Sequence, residues 1–174
     1  TQRTSGFIDK MVELLEKKGI KTAVVGHDKF KNNVSESDAK AIIEVRVPAQ
    51  VDDAAGKTEA STVLEKSDTV AIYASNEFAA KAIINANGSF KESKLGADKI
   101  LAVGFDSGAL QQDAIRNGLF VGSVTQDPIQ IGYQSVKLAI EAAQGKEVKD
   151  VDTGSKWYDA KNIDSDEIKP LLYQ

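Results

Sequence analysis

The stretch Ile100-Leu101-Ala102-Val103-Gly104-Phe105-Asp106 is an apolar run that stops on a carboxylate. Two other runs are built the same way. Val70-Ala71-Ile72-Tyr73-Ala74-Ser75 stops at Asn76, and Phe120-Val121-Gly122-Ser123-Val124-Thr125 stops at Gln126. Short apolar runs bounded by polar residues are the signature of strands in a buried sheet. In open α/β sheets, ligands bind in the crevice beyond the carboxyl ends of the strands. One carboxylate and two amides at that edge suit a small, neutral, polyhydroxylated ligand, because hydroxyls both donate and accept hydrogen bonds.

Outward from these runs, strand and helix patterns alternate, which predicts an α/β fold with a mainly parallel sheet and helices on both faces. Phe7, Met11, Leu14 and Leu15 recur at helical spacing, and Gly19 stops that helix. Thr22 to Val25 is a short strand, and Ile42 to Val47 is the next, closed by Pro48. Between them, His27 to Asn33 is polar and expected to be a surface excursion. Helices are expected from about Asp52 to Glu65, Glu77 to Ala86, and Ala109 to Asn117, the last two followed by Asn87-Gly88 and Gly118. The best-defined helix runs from Asp127 to Gln144. Asp127 caps it, Pro128 takes its first position and Gly145 closes it. Ile129, Tyr133, Val136, Ile140 and Ala143 form one apolar stripe along it. Trp157-Tyr158 is expected on a short edge strand, and a last helix near Asp166 to Leu172.

The chain has 174 residues, enough for one ordinary domain with a real core. Its net charge of −4 gives no basic footprint for nucleic acid. No apolar run approaches the length needed to span a bilayer. With no cysteine, the chain forms no disulfide and does no thiolate chemistry. Thr1 to Gly6 lacks a basic region followed by an apolar one, so any export signal is expected upstream. Thr1 to Ser5 is expected to be a loop entering the first helix. A parallel sheet normally has a strand just before such a loop, so that strand too is expected upstream.

Five motifs, in order, carry a family resemblance. They are Arg3-Thr4-Ser5-Gly6-Phe7, Ser75-Asn76-Glu77, Val103-Gly104-Phe105-Asp106, Val124-Thr125-Gln126-Asp127-Pro128 with Ile131-Gly132-Tyr133, and Trp157-Tyr158-Asp159-Ala160-Lys161-Asn162. Together they resemble the second lobe of bacterial sugar-binding proteins of the ribose, galactose and xylose type, the type I periplasmic binding proteins. Nearly the whole chain is covered, apart from the excursion around His27 to Ser37. The resemblance implies a flavodoxin-like lobe in which Arg3, Asn76, Asp106 and Gln126 bind a monosaccharide. Gln50 falls near a position where some members place a ligand-facing aromatic ring. The chemistry agrees: a carboxylate accepts charge-assisted bonds from hydroxyls, and Arg3 offers several fixed donors.

The resemblance also divides the chain. Residues 1–126 correspond to the C-terminal sugar-binding lobe with its first strand missing, 127–145 to a helix that packs on the N-terminal lobe, and 146–174 to a return segment and tail. Most of the N-terminal lobe is expected upstream. The stripe on the helix after Gln126 is then exposed unless it folds back onto this lobe or pairs with a second copy. The implied partners are a monosaccharide, a membrane permease or sensor of an ABC-type transporter, and that N-terminal lobe or second copy, with no nucleic acid contacted by this chain. The implied location is periplasmic or extracellular, with a lipid anchor possible only through an upstream segment. No cofactor, metal or catalysis is implied.

Other readings compete. A sugar-responsive transcription repressor of the LacI type shares this fold and would carry its DNA-reading segment upstream. An enzyme on a flavodoxin-like sheet, with phosphoryl transfer to Asp106, would need a metal-binding acidic cluster or a glycine-rich phosphate loop, and neither motif is present. Asp106 could instead cap the helix that follows it, and Asn76 and Gln126 could be a helix cap and a hinge contact. Arg3 near a terminus could be an ordinary solvated charge. His27 is expected to be solvated, and Trp157 and Tyr158 to pack. The acidic run from Asp150 to Glu167 lacks the spacing of a calcium loop, and Asn87-Gly88-Ser89 is better explained as a turn than as a glycosylation site.

Overall fold

The computed structural model describes residues 2–173 and contains the alternating α and β elements that the sequence predicts. The chain divides between Glu59 and Ala60 into two compact units.

In the first unit, helix α1 spans Gln2–Glu16, and strands β1 (Thr22–Val25) and β2 (Ala41–Glu44) pair in parallel with Thr22 opposite Ala41. The helix begins a turn earlier than expected, so Gln2 to Ser5 are helical rather than a loop. No proline interrupts this stretch, and a lone glycine inside a helix costs only about 1 kcal/mol, so Gly6 does not stop the pattern from running back to Arg3. Gly19, at φ 71°, ends the helix in the left-handed conformation that glycine adopts without strain. The excursion after β1 is mostly exposed, as expected, yet it is pinned. Asn32 accepts from Val24 N–H at 3.0 Å and donates to the Thr22 carbonyl at 3.0 Å, so its amide imitates a strand along β1. His27 is half-buried; its Nδ1 accepts from Lys29 N–H at 3.2 Å.

Helix α2 covers Asp53–Glu65. In the second unit, β3 (Ala71–Tyr73), β4 (Leu101–Phe105), β5 (Phe120–Gln126) and β6 (Ser155–Asp159) form one sheet in that order. The first three strands are parallel and β6 is antiparallel to β5, on the sheet edge where Trp157-Tyr158 is expected. Helices α3 (Glu77–Asn87), α4 (Ala109–Arg116) and α5 (Pro128–Ala143) complete the unit. Its core gathers Leu64, Ile83, Ile100, Ile115, Phe120 and Tyr158. The last helix shrinks to a 3-10 turn at Lys169–Leu171, because Pro170 lacks the N–H that a longer α-helix needs. Asn87 is buried, and its Oδ1 accepts from Lys94 and Leu95 N–H at 2.8 and 3.3 Å. That role in tying down the next loop explains the Asn-Gly-Ser pattern. Among the described residues, no helix is long and apolar enough to cross a membrane.

Candidate functional site

Parallel strands β3, β4 and β5 all end at one edge of the second unit's sheet, and Asn76, Asp106 and Gln126 follow or close them there. Their order along this edge follows from the order of the strands. Arg3 lies on α1 in the first unit, half-buried. Gln50 is exposed in the loop before α2.

Asn76 caps α3. Its backbone is extended and its Oδ1 accepts from Ala79 N–H at 2.9 Å, which satisfies one of the helix's unpaired donors. The next N–H of that helix, at Glu77, donates to Asp106 Oδ2 at 3.0 Å. The Asp106 carboxylate therefore caps α3, the helix before it. It does not cap α4, whose N-cap is Gly108 with no side-chain bond. This bond orients the carboxylate at the N-terminus of α3. Gln126 closes β5 with its side chain exposed, opposite Ser155 of β6.

Asp106 has φ 78°, the only positive value at a non-glycine residue among those described. Aspartate tolerates this region better than most residues, but holding it there still costs about 1–3 kcal/mol. The surrounding bonds account for its persistence. Asp106 N–H donates to the Val124 carbonyl at 2.8 Å. Its own carbonyl accepts from Ser123 Oγ at 2.9 Å and from the Tyr158 hydroxyl at 2.8 Å. Ser123 Oγ in turn accepts from Gln111 Nε2 at 2.5 Å, and that nitrogen also donates to the Phe105 carbonyl at 3.3 Å. Gln111 Oε1 is buried without a partner, the one such side-chain atom among the described residues. Burial pushes the Tyr158 phenol well above its ordinary value, with the bond to Ser123 opposing, so it stays a donor at ordinary pH.

Glycines make room for this arrangement. A Cβ on Gly104 would collide with Gln111 Nε2 and sit 3.1 Å from Ser123 Oγ. A Cβ on Gly108 would collide with the Glu77 carboxylate, which lies across the backbone there. The chain's end joins in. Gln112 Nε2 donates to the carbonyls of Ser107 and Tyr173 at 2.7 and 2.8 Å, and the Tyr173 hydroxyl donates to Glu77 Oε2 at 3.2 Å.

Of the expected set, the structure brings Asn76, Asp106 and Gln126 to one sheet edge. The sequence reading missed the residues behind them: Glu77, Gln111, Ser123, Tyr158 and Tyr173. A signal existed for two of these. Ser123 interrupts an apolar strand, and Tyr158 alternates with the exposed Trp157. Among the described residues, no group of three His, Cys, Asp or Glu could hold a metal ion.

Comparison with curated proteins finds no match. Solved structures do match. One is described as an ABC transporter, LacI family transcriptional regulator from Brachyspira murdochii; it is 34% identical with a TM-score of 0.74, and the match covers 99% of this chain and 65% of that one. An ABC transporter solute-binding protein from Agrobacterium vitis with bound D-fucose is 22% identical with a TM-score of 0.71, covering 99% and 62%. A second one from the same organism, bound with alpha-D-tagatopyranose, is 18% identical with a TM-score of 0.70, covering 99% and 61%. The chain thus spans somewhat less than two thirds of these structures, and the likeness to the last two concerns the fold. The family described as periplasmic binding protein domain matches residues 2–147. With five-sixths of its length matched and three parallel strands of the second unit's sheet ending at one edge, this chain belongs to the periplasmic binding protein domain family.

Proposed function

We propose that this chain forms a sugar-binding lobe of a solute-binding protein that takes up a monosaccharide without changing it chemically. The observation that carries this reading is the strained Asp106, held at the shared end of three parallel strands with Asn76 and Gln126 on either side. Asp106 accepts sugar hydroxyls, while the two amides donate and accept. Asp106 is half-buried, and a sugar enclosed against it that lacks one hydroxyl leaves the carboxylate short of a partner, which is costly, so the site discriminates between epimers. The part assigned to Arg3 rests on the resemblance alone.

Residues 127–145 are proposed to pack on a second lobe, with 146–174 returning to this one. Closure of the lobes over the sugar then creates the surface that a membrane permease or sensor recognises. This reading puts the protein in the periplasm or outside the cell. Solute-binding proteins of similar fold hold D-fucose and alpha-D-tagatopyranose, which supports a monosaccharide.

The test is a titration of isotope-labelled protein with D-ribose, D-xylose, D-galactose, D-fucose, D-arabinose and D-tagatose, followed by NMR. Amide shifts centred on Asn76, Asp106 and Gln126 are expected, and Asp106→Ala abolishes them. Shifts that survive that substitution, or that centre elsewhere, overturn the reading.

A second reading has one observation in its favour: the 34% identical structure is described as a LacI family transcriptional regulator. In that case the same sugar site controls DNA binding by an attached segment. Sugar-dependent binding of the full-length protein to DNA supports the regulator, and sugar-dependent binding to permease-containing vesicles supports transport.

A further inference from the structure

Strand β6 reaches the site from behind. Its alternation leaves Trp157 45% exposed, while Tyr158 is fully buried. Tyr158 stands 52 residues from Asp106 in sequence, yet its hydroxyl donates to the Asp106 carbonyl. That carbonyl belongs to a residue in the left-handed region, and a buried carbonyl must find partners. Here it finds two side chains, Tyr158 and Ser123, and Gln111 fixes Ser123 in turn. The carboxylate of the same residue points to the opposite partner, the Glu77 N–H at the start of α3. The backbone bonds on one side and the carboxylate bond on the other define a single orientation. If Asp106 relaxes to a negative φ, its Cβ swings and the carboxylate leaves the helix end.

We infer that Tyr158 and Ser123 are the positioning pair for Asp106: their hydroxyls hold its carbonyl so that its carboxylate stays presented to the ligand. The inference rests on the reading of Asp106 as a ligand residue, and it extends the site to a tail strand that touches no sugar. Tyr158 suits the task because its ring packs in the core while its hydroxyl meets the strand end. A phenylalanine there keeps the packing and removes only the bond.

The experiment compares Tyr158→Phe, Ser123→Ala and the double variant with the parent chain, all carbon- and nitrogen-labelled. Three readouts are taken: the Asp106 carbonyl, Cα and Cβ shifts without sugar, the exchange rate of the Asp106 amide, and the dissociation constants for D-ribose and D-galactose. The carbonyl shift is expected to move in each single variant, because it reports directly on the lost donor. In the double variant the left-handed Cα and Cβ signature is expected to disappear, with amide exchange accelerated and the affinity for whichever sugar binds about tenfold weaker. A mere packing role would leave the Asp106 carbon shifts in place. An unchanged left-handed signature in the double variant overturns the inference, as does a changed signature with unchanged affinity. If the double variant does not fold, Tyr158→Phe decides by its carbonyl shift and affinity. If none of the six sugars titrated above perturbs the parent protein, the ligand reading fails separately, and the sugar-free shifts still decide whether the pair holds Asp106.

Discussion

Strand β5 and helix α5 are joined by one residue, Asp127, and they invert each other's use of polar and apolar side chains. β5 buries Ser123 and Thr125 completely, whereas α5 buries no residue at all. Along α5, Tyr133 and Val136 are each 62% exposed, and Ile129 and Ile140 are more than half exposed. The buried hydroxyls of β5 are satisfied inside the unit: Ser123 by Asp106 and Gln111, and Thr125 by Ser107 at 3.2 Å. The apolar stripe of α5 has no such internal answer. The difference teaches that a polar group can be completed locally by one well-placed partner, whereas an apolar stripe needs an area to cover it. One region is completed within its own unit, and the other leaves its apolar side chains exposed.

That contrast can be broken at its polar end with Gly104→Ala. The added methyl displaces the Gln111 amide from a packed interior and leaves Ser123 short of a donor, so stability falls by about 3 kcal/mol in a denaturant titration. A loss near zero would mean the buried network adjusts easily and holds nothing. Asn76→Ala tests the neighbouring helix end. Without its cap, α3 loses about 1 kcal/mol, and the amides of Glu77 to Ala79 exchange faster.

A pH scan sharpens the same region. Burial holds the phenols of Tyr158 and Tyr173 above their ordinary value of 10.0. The folded state therefore keeps protons that the unfolded state releases. The stability linked to them is complete below the unfolded value and declines as pH rises through the folded values. Unfolding measured from neutral to strongly alkaline pH should show that decline. Tyr158→Phe should flatten most of it and leave the smaller part due to Tyr173.

The smallest effect is expected at the apolar end. Val136→Lys with Ile140→Lys changes the stability of the chain by no more than about 0.5 kcal/mol per site, because both side chains are already in water. The same pair of changes should abolish any association that covers α5, as read by sedimentation or native mass spectrometry. A large stability loss instead would mean that the stripe packs within its own unit, and the contrast between β5 and α5 would collapse.

Much of this was legible in the residues, for identifiable reasons. The runs ending at Asn76, Asp106 and Gln126 were readable because apolar strands that stop on polar side chains are local patterns. The start of α5 was readable because Asp127 and Pro128 are local signals too, and Asp127 Oδ1 does accept from Gln130 N–H at 2.8 Å. The start of α1 was misjudged because nothing local distinguishes a loop from a helix at Gln2 to Ser5. The final helix is shorter than its apolar spacing predicts, because Pro170 supplies no N–H to continue it. The bonds that Asn32 makes to β1 were not legible, since its amide meets that strand only once the chain has turned back on itself.

The amino-acid sequence by itself determined the order of the main strands and helices, the polar residues that follow or close β3, β4 and β5, the capped start of α5 and the stripe along it, all of which depend on residues within a turn or two of one another. Only the tertiary structure decided that the Asp106 carboxylate answers to α3 rather than α4, and that a tyrosine from the last strand holds its backbone. Those bonds join Asp106 to Glu77, Ser123 and Tyr158 across separations of 29, 17 and 52 residues. Such pairs become neighbours only when parallel crossovers stack the strands side by side, and no periodicity within a single segment can announce them.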